Sequence, residues 1–459
     1  MAHLFISAAH KSSGKTTLSL GLAAAYKARG LCVQPFKKGP DYIDPLWLSL
    51  AAGRDCHNLD FNTQAPEEIR GEFARRMAGA DLGLIEGNKG LYDGLALDGS
   101  NSNAALARLL QAPVVLVIDA RGMTRGIAPL ILGYQAFDPG IRIAGVILNR
   151  LGGRRHESKL RAVIAHYTAV PVLGAVQNSP ELEIVERHLG LVPSNEHLAA
   201  QERLAAIAAQ VAAQVDLDAL HQAAASAPQS PVSPPALAAA TPPGPRVCIG
   251  IARDAAFGFY YPGDLEALEA AGAELHVFDA LRDQRLPEMD GLFIGGGFPE
   301  THMAALEANA ALRGELRAAI ERGLPVYAEC GGLMYLARGI EWQGERREMT
   351  GALPADVVMH ERPQGRGYVR LRETAQAPWP LAAGGGADIA AHEFHHSTLV
   401  NLDPAVPFAY EVLRGAGVDG RHDGLVWRNV LAQYAHQRDT AANPWAARFT
   451  AFVRTRRAA

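Results

Sequence analysis

The stretch Ala9-His10-Lys11-Ser12-Ser13-Gly14-Lys15-Thr16-Thr17 decides the fold of the first half of the chain. It follows the apolar run His3–Ser7 and precedes LSLGLAAAYKARG at 18–30. A short β-rich run, a loop of small residues and an amphipathic helix are the context that a phosphate-binding loop requires. Backbone N–H groups of such a loop, with the positive end of the helix, cradle phosphate oxygens. Lys15 is then placed to reach the β- and γ-phosphates, and the Thr16 hydroxyl to ligate Mg²⁺. Ala9 stands where glycine usually opens the loop.

Outward from this loop, Phe36-Lys37-Lys38-Gly39-Pro40-Asp41-Tyr42-Ile43-Asp44-Pro45 gathers two lysines and two carboxylates in a Gly/Pro-containing turn. The functional reading is a cationic lining for a phosphorylated or carboxylate substrate beside acids that help hold Mg²⁺; the alternative is a solvated charged loop. The apolar run Leu82–Glu86 delivers Glu86 ahead of Gly87-Asn88-Lys89-Gly90-Leu91-Tyr92-Asp93-Gly94, and an acid ending such a strand is the usual second carboxylate of an NTPase metal site. Asp119, ending Pro113–Asp119, either joins that site or caps the turn that follows. Asn149, ending Ile143–Asn149, offers both a donor and an acceptor to an adenine edge.

At 459 residues the chain exceeds one ordinary core, so two domains are expected. Residues 223–245 hold seven prolines among Ala and Ser. Such a run forms neither a packed helix nor a central strand, and it is assigned as an interdomain linker. The expected division is 1–222, 223–245 and 246–459. The composition is 48% hydrophobic and 20% charged with a net charge of −4, and both signs are mixed along the chain. No basic patch points to nucleic acid, and no run is long and apolar enough to span a membrane. The four cysteines lie far apart with no C-x-x-C pair, which excludes a disulfide framework and fits a reducing cytoplasm.

In the second half Val247–Ala252, Glu274–Phe278, Gly291–Gly295 and Pro325–Glu329 read as buried parallel strands alternating with helices, giving an α/β fold in both halves. Pro325–Glu329 runs into Cys330-Gly331-Gly332, with small Ala328 and Gly332 on either side. This is the logic of a nucleophile elbow, where a strained turn exposes the side chain and small neighbours let helix and strand approach. The competing reading is a buried structural cysteine. Two features favour the nucleophile. Gly295-Gly296-Gly297 can aim backbone amides from one side of an oxyanion hole, with Gly331 supplying the other, and His436 is the candidate base.

Taken together, SSGKTT, FKKGPDYIDP, EGNKGLYDG, GVILNR, RHLGLVPSNE, IARDAAFGFYYPGDLEALEAAGAEL, GGGFPE, AECGGLMYL, HEFHHS and GLVWRNVLAQYAH resemble the cobyrinic acid a,c-diamide synthase family over nearly the whole chain. The resemblance implies an N-terminal P-loop domain of the dethiobiotin-synthetase type with a parallel sheet. It also implies a C-terminal class I (triad-type) glutamine amidotransferase domain. The implied reaction is ATP- and glutamine-dependent amidation of a tetrapyrrole (cobyrinate or hydrogenobyrinate). Glutamine is hydrolysed at Cys330 with His436, and a tetrapyrrole carboxylate is activated as an acyl phosphate. Carried over by position, Lys11, Ser12, Ser13, Gly14, Lys15, Thr16, Thr17 and Asn149 bind ATP. Thr16, Asp44 and Glu86 serve Mg²⁺, and Lys37, Lys38, Tyr92 and Asp93 face the substrate or the transferred phosphoryl group. The expected partners are ATP, L-glutamine and the tetrapyrrole acid, with no nucleic acid and no membrane; a homodimer is compatible. His392, His395 and His396 are expected to shape the substrate side or a domain contact.

Some positions depart from the family pattern. Arg438 stands two residues after His436, where a triad acid is usual, so a Cys–His dyad is expected. Asn88-Lys89 replaces an apolar pair, His396 stands where tyrosine is common, and the usual Leu-His after His436 is missing. A sirohydrochlorin- or sirohaem-type substrate therefore stays open. So does a non-catalytic ATP switch, although an intact elbow argues against it. A dethiobiotin-type ligase leaves the second half without a purpose.

Overall fold

The computed structural model describes all residues except 183–185, 188–189, 195–198, 229–243, 382–383 and 458–459. The chain divides into two compact units, Met1–Ala236 and Leu237–Ala459. Most of the expected linker lies outside the described residues, as does part of RHLGLVPSNE. The helix Leu217–Ala225 runs three residues past the expected domain end, and Ala224 is fully buried.

In the first unit seven strands form one sheet in the order His57–Leu59, Val33–Lys38, Leu82–Gly90, Ala2–Ala8, Val114–Asp119, Ile143–Leu151, Val172–Gln177. Every pairing is parallel. The apolar runs have no polar alternation because both faces are covered. Leu4 and Ile6 pack on one side with Leu18, Leu22, Trp47, Ile207 and Leu220. Phe5 packs on the other with Phe73, Leu106, Ile131 and Ile164. The central strand Ala2–Ala8 feeds the loop and the helix Lys15–Ala28, so the loop sits beyond the carboxyl ends of the strands, where open α/β sheets bind ligands.

In the second unit nine strands run in the order Ala273–Phe278, Val247–Ala252, Gly291–Ile294, Val326–Glu329, Val430–Gln433, His422–Trp427, Phe408–Arg414, Gly365–Glu373, Asp388–His395. The first five pair in parallel: the four expected strands, and Val430–Gln433 beside them. The last four extend the sheet by antiparallel pairing, which the sequence reading did not foresee. Within Gly365–Glu373, the stretch from Val369 to Glu373 alternates between buried and exposed positions, the signature of a sheet with one solvated face. Among the described residues no helix is long and apolar enough to cross a membrane.

Candidate active sites

The phosphate loop is fixed by two residues in left-handed conformations, Ser12 (φ 64°) and Gly14 (φ 80°). A Cβ at Gly14 would run into the Asn149 amide nitrogen. That nitrogen donates to the Ser13 carbonyl at 2.8 Å, so Asn149 braces the loop from the end of its own strand. Arg150 donates to the Ser12 carbonyl (2.8 Å) and to Asp119 (3.0 Å). Asp119 also accepts from the Arg121 backbone N–H at 3.1 Å. Burial pushes the Asp119 carboxyl up, yet its bonds to Arg121 and Arg150 hold it at about 2. Of the two roles open to Asp119, the geometry fits the cap and clamp.

Five expected residues meet at the carboxyl ends of the strands. The Lys15 ammonium lies 2.7 Å from Glu86 Oε1. Thr16 Oγ1 lies 2.7 Å from the same oxygen and 3.3 Å from Asp44 Oδ2. Lys37 contacts Asp44, lies 3.1 Å from Glu86 and 3.6 Å from Asp41. The charged-turn picture of this segment is corrected: Lys37 and Lys38 end the strand Val33–Lys38 and are buried, and Asp44 opens the helix Ile43–Ala52. Burial would neutralise Lys37, but Asp44, Glu86 and Asp41 raise its pKa well above the usual value. Burial likewise pushes Glu86 up, and Lys15 and Lys37 outweigh it, leaving the carboxyl at about 2. Asp44 goes the other way, to about 6, through burial and the neighbouring Asp41 against the pull of Lys37. Lys38 is lowered to about 8 by burial, with Asp60 opposing and Lys89 and Lys37 adding to the effect.

Glu86 Oε2 is buried without a hydrogen-bond partner among the described residues. An orphaned carboxylate oxygen beside a threonine hydroxyl and a second carboxylate is a donor set suited to a hard divalent cation. Ser13 donates to the His10 carbonyl within the loop (2.8 Å), Thr17 is half-buried, and Lys11 is exposed beside it. Tyr92 and Asp93 serve the turn after Glu86. The Tyr92 hydroxyl donates to the Tyr134 carbonyl (2.6 Å), and Asp93 accepts from the Gly90 N–H (3.0 Å).

The second unit holds the thiol site. Cys330 joins the strand Val326–Glu329 to the helix Gly331–Leu336 with φ 48°, the strained backbone of a nucleophile elbow. Its N–H donates to the Gln433 carbonyl at 2.7 Å. A Cβ at Gly332 would run into the Ile294 carbonyl oxygen, which explains the glycine there. His436 follows the strand Val430–Gln433, the direct neighbour of the cysteine's strand, and is hydrogen-bonded to Cys330. Burial lowers the His436 pKa, but contacts with Cys330 and Glu329 override it and raise the ring to about 10. Both neighbours thus favour the protonated ring.

The glycines close around this pair. A Cβ at Gly331 would stand 2.9 Å from the Gly297 amide nitrogen, and one at Gly296 would stand 2.6 Å from His436 Cε1. Gly296–Gly297 is held by antiparallel pairing with Phe257–Phe259.

HEFHHS contributes a wall of this same site. His392 and His436 exchange backbone hydrogen bonds (3.2 and 2.7 Å), and their rings stack at 5.0 Å. Burial and the charge of His436 push the His392 pKa well below its usual value. The Phe394 carbonyl lies 3.9 Å from Cys330 Sγ. His395 stacks on Tyr434 at 3.8 Å, and His396 is buried with Nδ1 3.2 Å from the His360 carbonyl. Among the described residues, the group of three His, Cys or acidic side chains with closely spaced donor atoms is Cys248, Glu274 and His276, which includes none of these histidines.

One residue of the site was missed. Glu329, 2% exposed, places Oε2 3.3 Å from His436 Nδ1. Its other oxygen accepts from the Tyr327 hydroxyl (2.5 Å) and the Gln437 N–H (2.9 Å). Arg438 does occupy the place two residues after the histidine, and the structure sets a carboxylate from the adjacent strand beside the ring. The signal for Glu329 in the sequence is an acid immediately before the candidate nucleophile, 107 residues ahead of the histidine.

Comparison with known proteins agrees with this two-site arrangement. Residues 5–192 match the CobQ/CobB/MinD/ParA nucleotide binding domain, and residues 248–443 match the CobB/CobQ-like glutamine amidotransferase domain. A cobyrinate a,c-diamide synthase of Magnetococcus marinus is 48% identical, over 99% of this chain and 97% of its own length. Proteins of the same name from Methanosarcina acetivorans and Archaeoglobus fulgidus are each 41% identical. They cover 94% and 92% of this chain, and 91% of their own length in both cases.

Proposed function

Because this chain belongs to the cobyrinate a,c-diamide synthase family, we propose that it converts the a and c acetate carboxylates of cobyrinate to amides, using ATP and glutamine. The observation that carries this reading is the pairing, in one chain, of the Lys15–Lys37–Glu86 cluster at a phosphate loop with an elbow thiol hydrogen-bonded to a buried histidine.

A carboxylate is a poor electrophile, and ammonium has no lone pair with which to attack. In the second unit Cys330 sulfur attacks the glutamine amide carbon, and the oxyanion that forms meets backbone N–H groups of Gly297 and Gly331. His436 gives its proton to the departing nitrogen, ammonia leaves, and water hydrolyses the thioester to glutamate. In the first unit the acetate oxygen of cobyrinate attacks the γ-phosphorus of ATP, and ADP departs. Lys15 and the loop N–H groups hold the phosphates, and Lys37 and Lys38 offset charge on the moving phosphoryl group. Ammonia then attacks the acyl carbon and phosphate leaves, giving the amide. Thr16, Asp44 and Glu86, with the orphaned Glu86 oxygen, would hold Mg²⁺, which would supply positive charge to offset that of the phosphates.

The sirohydrochlorin-type alternative drew on His396 and on Asn88-Lys89. His396 is buried within the amidotransferase unit, so it supports no such preference. Offered cobyrinate and sirohydrochlorin in parallel with ATP and glutamine, the enzyme should replace two carboxyl hydroxyls of cobyrinate by amino groups, as read by mass spectrometry. Faster amidation of sirohydrochlorin would reverse the substrate assignment.

A further inference from the structure

We propose that Glu329 is the positioning acid of the thiol site: its carboxylate stands beside His436 Nδ1 as an ion-pair partner at 3.3 Å and so holds the ring with the remaining nitrogen towards Cys330. The inference rests on the glutaminase reading above and adds to it a residue that the His-x-acid spacing does not supply, since Arg438 occupies that place.

Three observations carry it. Glu329 Oε2 stands 3.3 Å from His436 Nδ1, and both side chains are 3% exposed. Glu329 Oε1 is fixed by two donors from different elements, the Tyr327 hydroxyl at 2.5 Å and the Gln437 N–H at 2.9 Å, which leaves Oε2 for the imidazole. Parallel pairing sets Glu329 opposite Gln433, three residues before the histidine. The sheet itself therefore delivers acid and base side by side, with the nucleophile at the turn that directly follows the acid's strand. A histidine oriented through Nδ1 by a buried carboxylate is held in one tautomer and one ring plane. The titratable groups facing His436 are Cys330, Glu329 and His392, and the last is kept neutral by burial and by the charge of His436. Glu329 is thus the neighbouring acid that stabilises the imidazolium.

The test is Glu329→Gln, which keeps the shape and an oxygen for Tyr327 and Gln437 but removes the charge facing Nδ1. Expected are a fall in glutaminase kcat of roughly 10²- to 10⁴-fold, a KM for glutamine that changes little, and undiminished amidation with ammonia. The His436 titration, followed by NMR in ¹³C-histidine-labelled enzyme, should move down by about one to three pH units, and Glu329→Asp should restore part of kcat. Native kcat with an unmoved titration in Glu329→Gln would overturn the role, as would loss of ammonia-driven amidation in parallel, which marks a residue of the fold alone. If the variant does not fold, the unaltered enzyme decides: His436 should remain protonated well above neutrality, and an ordinary midpoint near 6.5 overturns the role. Cys330→Ala, run alongside, separates failure of this inference from failure of the glutaminase reading, because only the latter leaves that variant active with glutamine.

Discussion

Cys330→Ala is expected to abolish amidation with glutamine and to leave amidation with ammonium salts at the native rate. Cys330 is the side chain at the elbow, and His436, Glu329, Gly296 and Gly297 are arranged around it. Removing a nucleophile that acts as a unit with its base costs roughly 10⁶-fold in turnover, so glutaminase activity falls below detection. Stability changes little, because alanine fits a position that is already small and buried, and a substitution of this kind costs about 1 kcal/mol. Phosphate release dependent on ATP and acceptor persists when ammonia is supplied. Glutamine-dependent amidation surviving in Cys330→Ala would remove the thiol from the mechanism.

Glu86→Gln is expected to show the opposite signature: loss of amidation with either nitrogen source, with glutamine hydrolysis surviving. Glu86 is fully buried, and one oxygen faces Lys15, Thr16 and Lys37 at once. With the carboxylate neutralised, Lys37 keeps Asp44 and Asp41 but loses its deepest partner, and Lys15 loses the counter-charge 2.7 Å away. Breaking such a buried pair costs about 3–5 kcal/mol, so the melting temperature drops together with an activity loss of at least ~10²-fold from lost electrostatic stabilisation. The sign with pH follows from the depressed pKa. The stabilisation is complete above the ordinary glutamate value and fades as pH falls towards about 2, so the native protein and the variant converge in stability in acid. Ammonia-driven amidation at the native rate in Glu86→Gln would contradict the assignment.

Much of this was legible in the sequence because strand, loop and helix are contiguous at Ala9–Thr17 and again at Val326–Leu336. Local order alone specifies a phosphate cradle and an elbow. The strand Val33–Lys38 was not recognised because Pro35 interrupts it. The proline is tolerated because its outer neighbour, His57–Leu59, begins to pair only at Phe36. The four antiparallel strands were missed because their charged, alternating residues look like loops until a partner strand covers one face. Asn149 reads from the sequence as a donor and acceptor for an adenine edge, and its amide also donates to Ser13, 136 residues away, a contact that only the closed sheet creates. Glu329 escaped for a related reason. Its neighbour along the chain is Cys330, but its chemical partner His436 arrives on the adjacent strand.

The most direct test of the coupled reaction is to supply amide-¹⁵N glutamine, ATP and cobyrinate and to follow label and phosphate together. The account predicts ¹⁵N in both new amides, with one ATP converted to ADP and phosphate for each. An unlabelled diamide, or labelled amides formed without ADP, would contradict it.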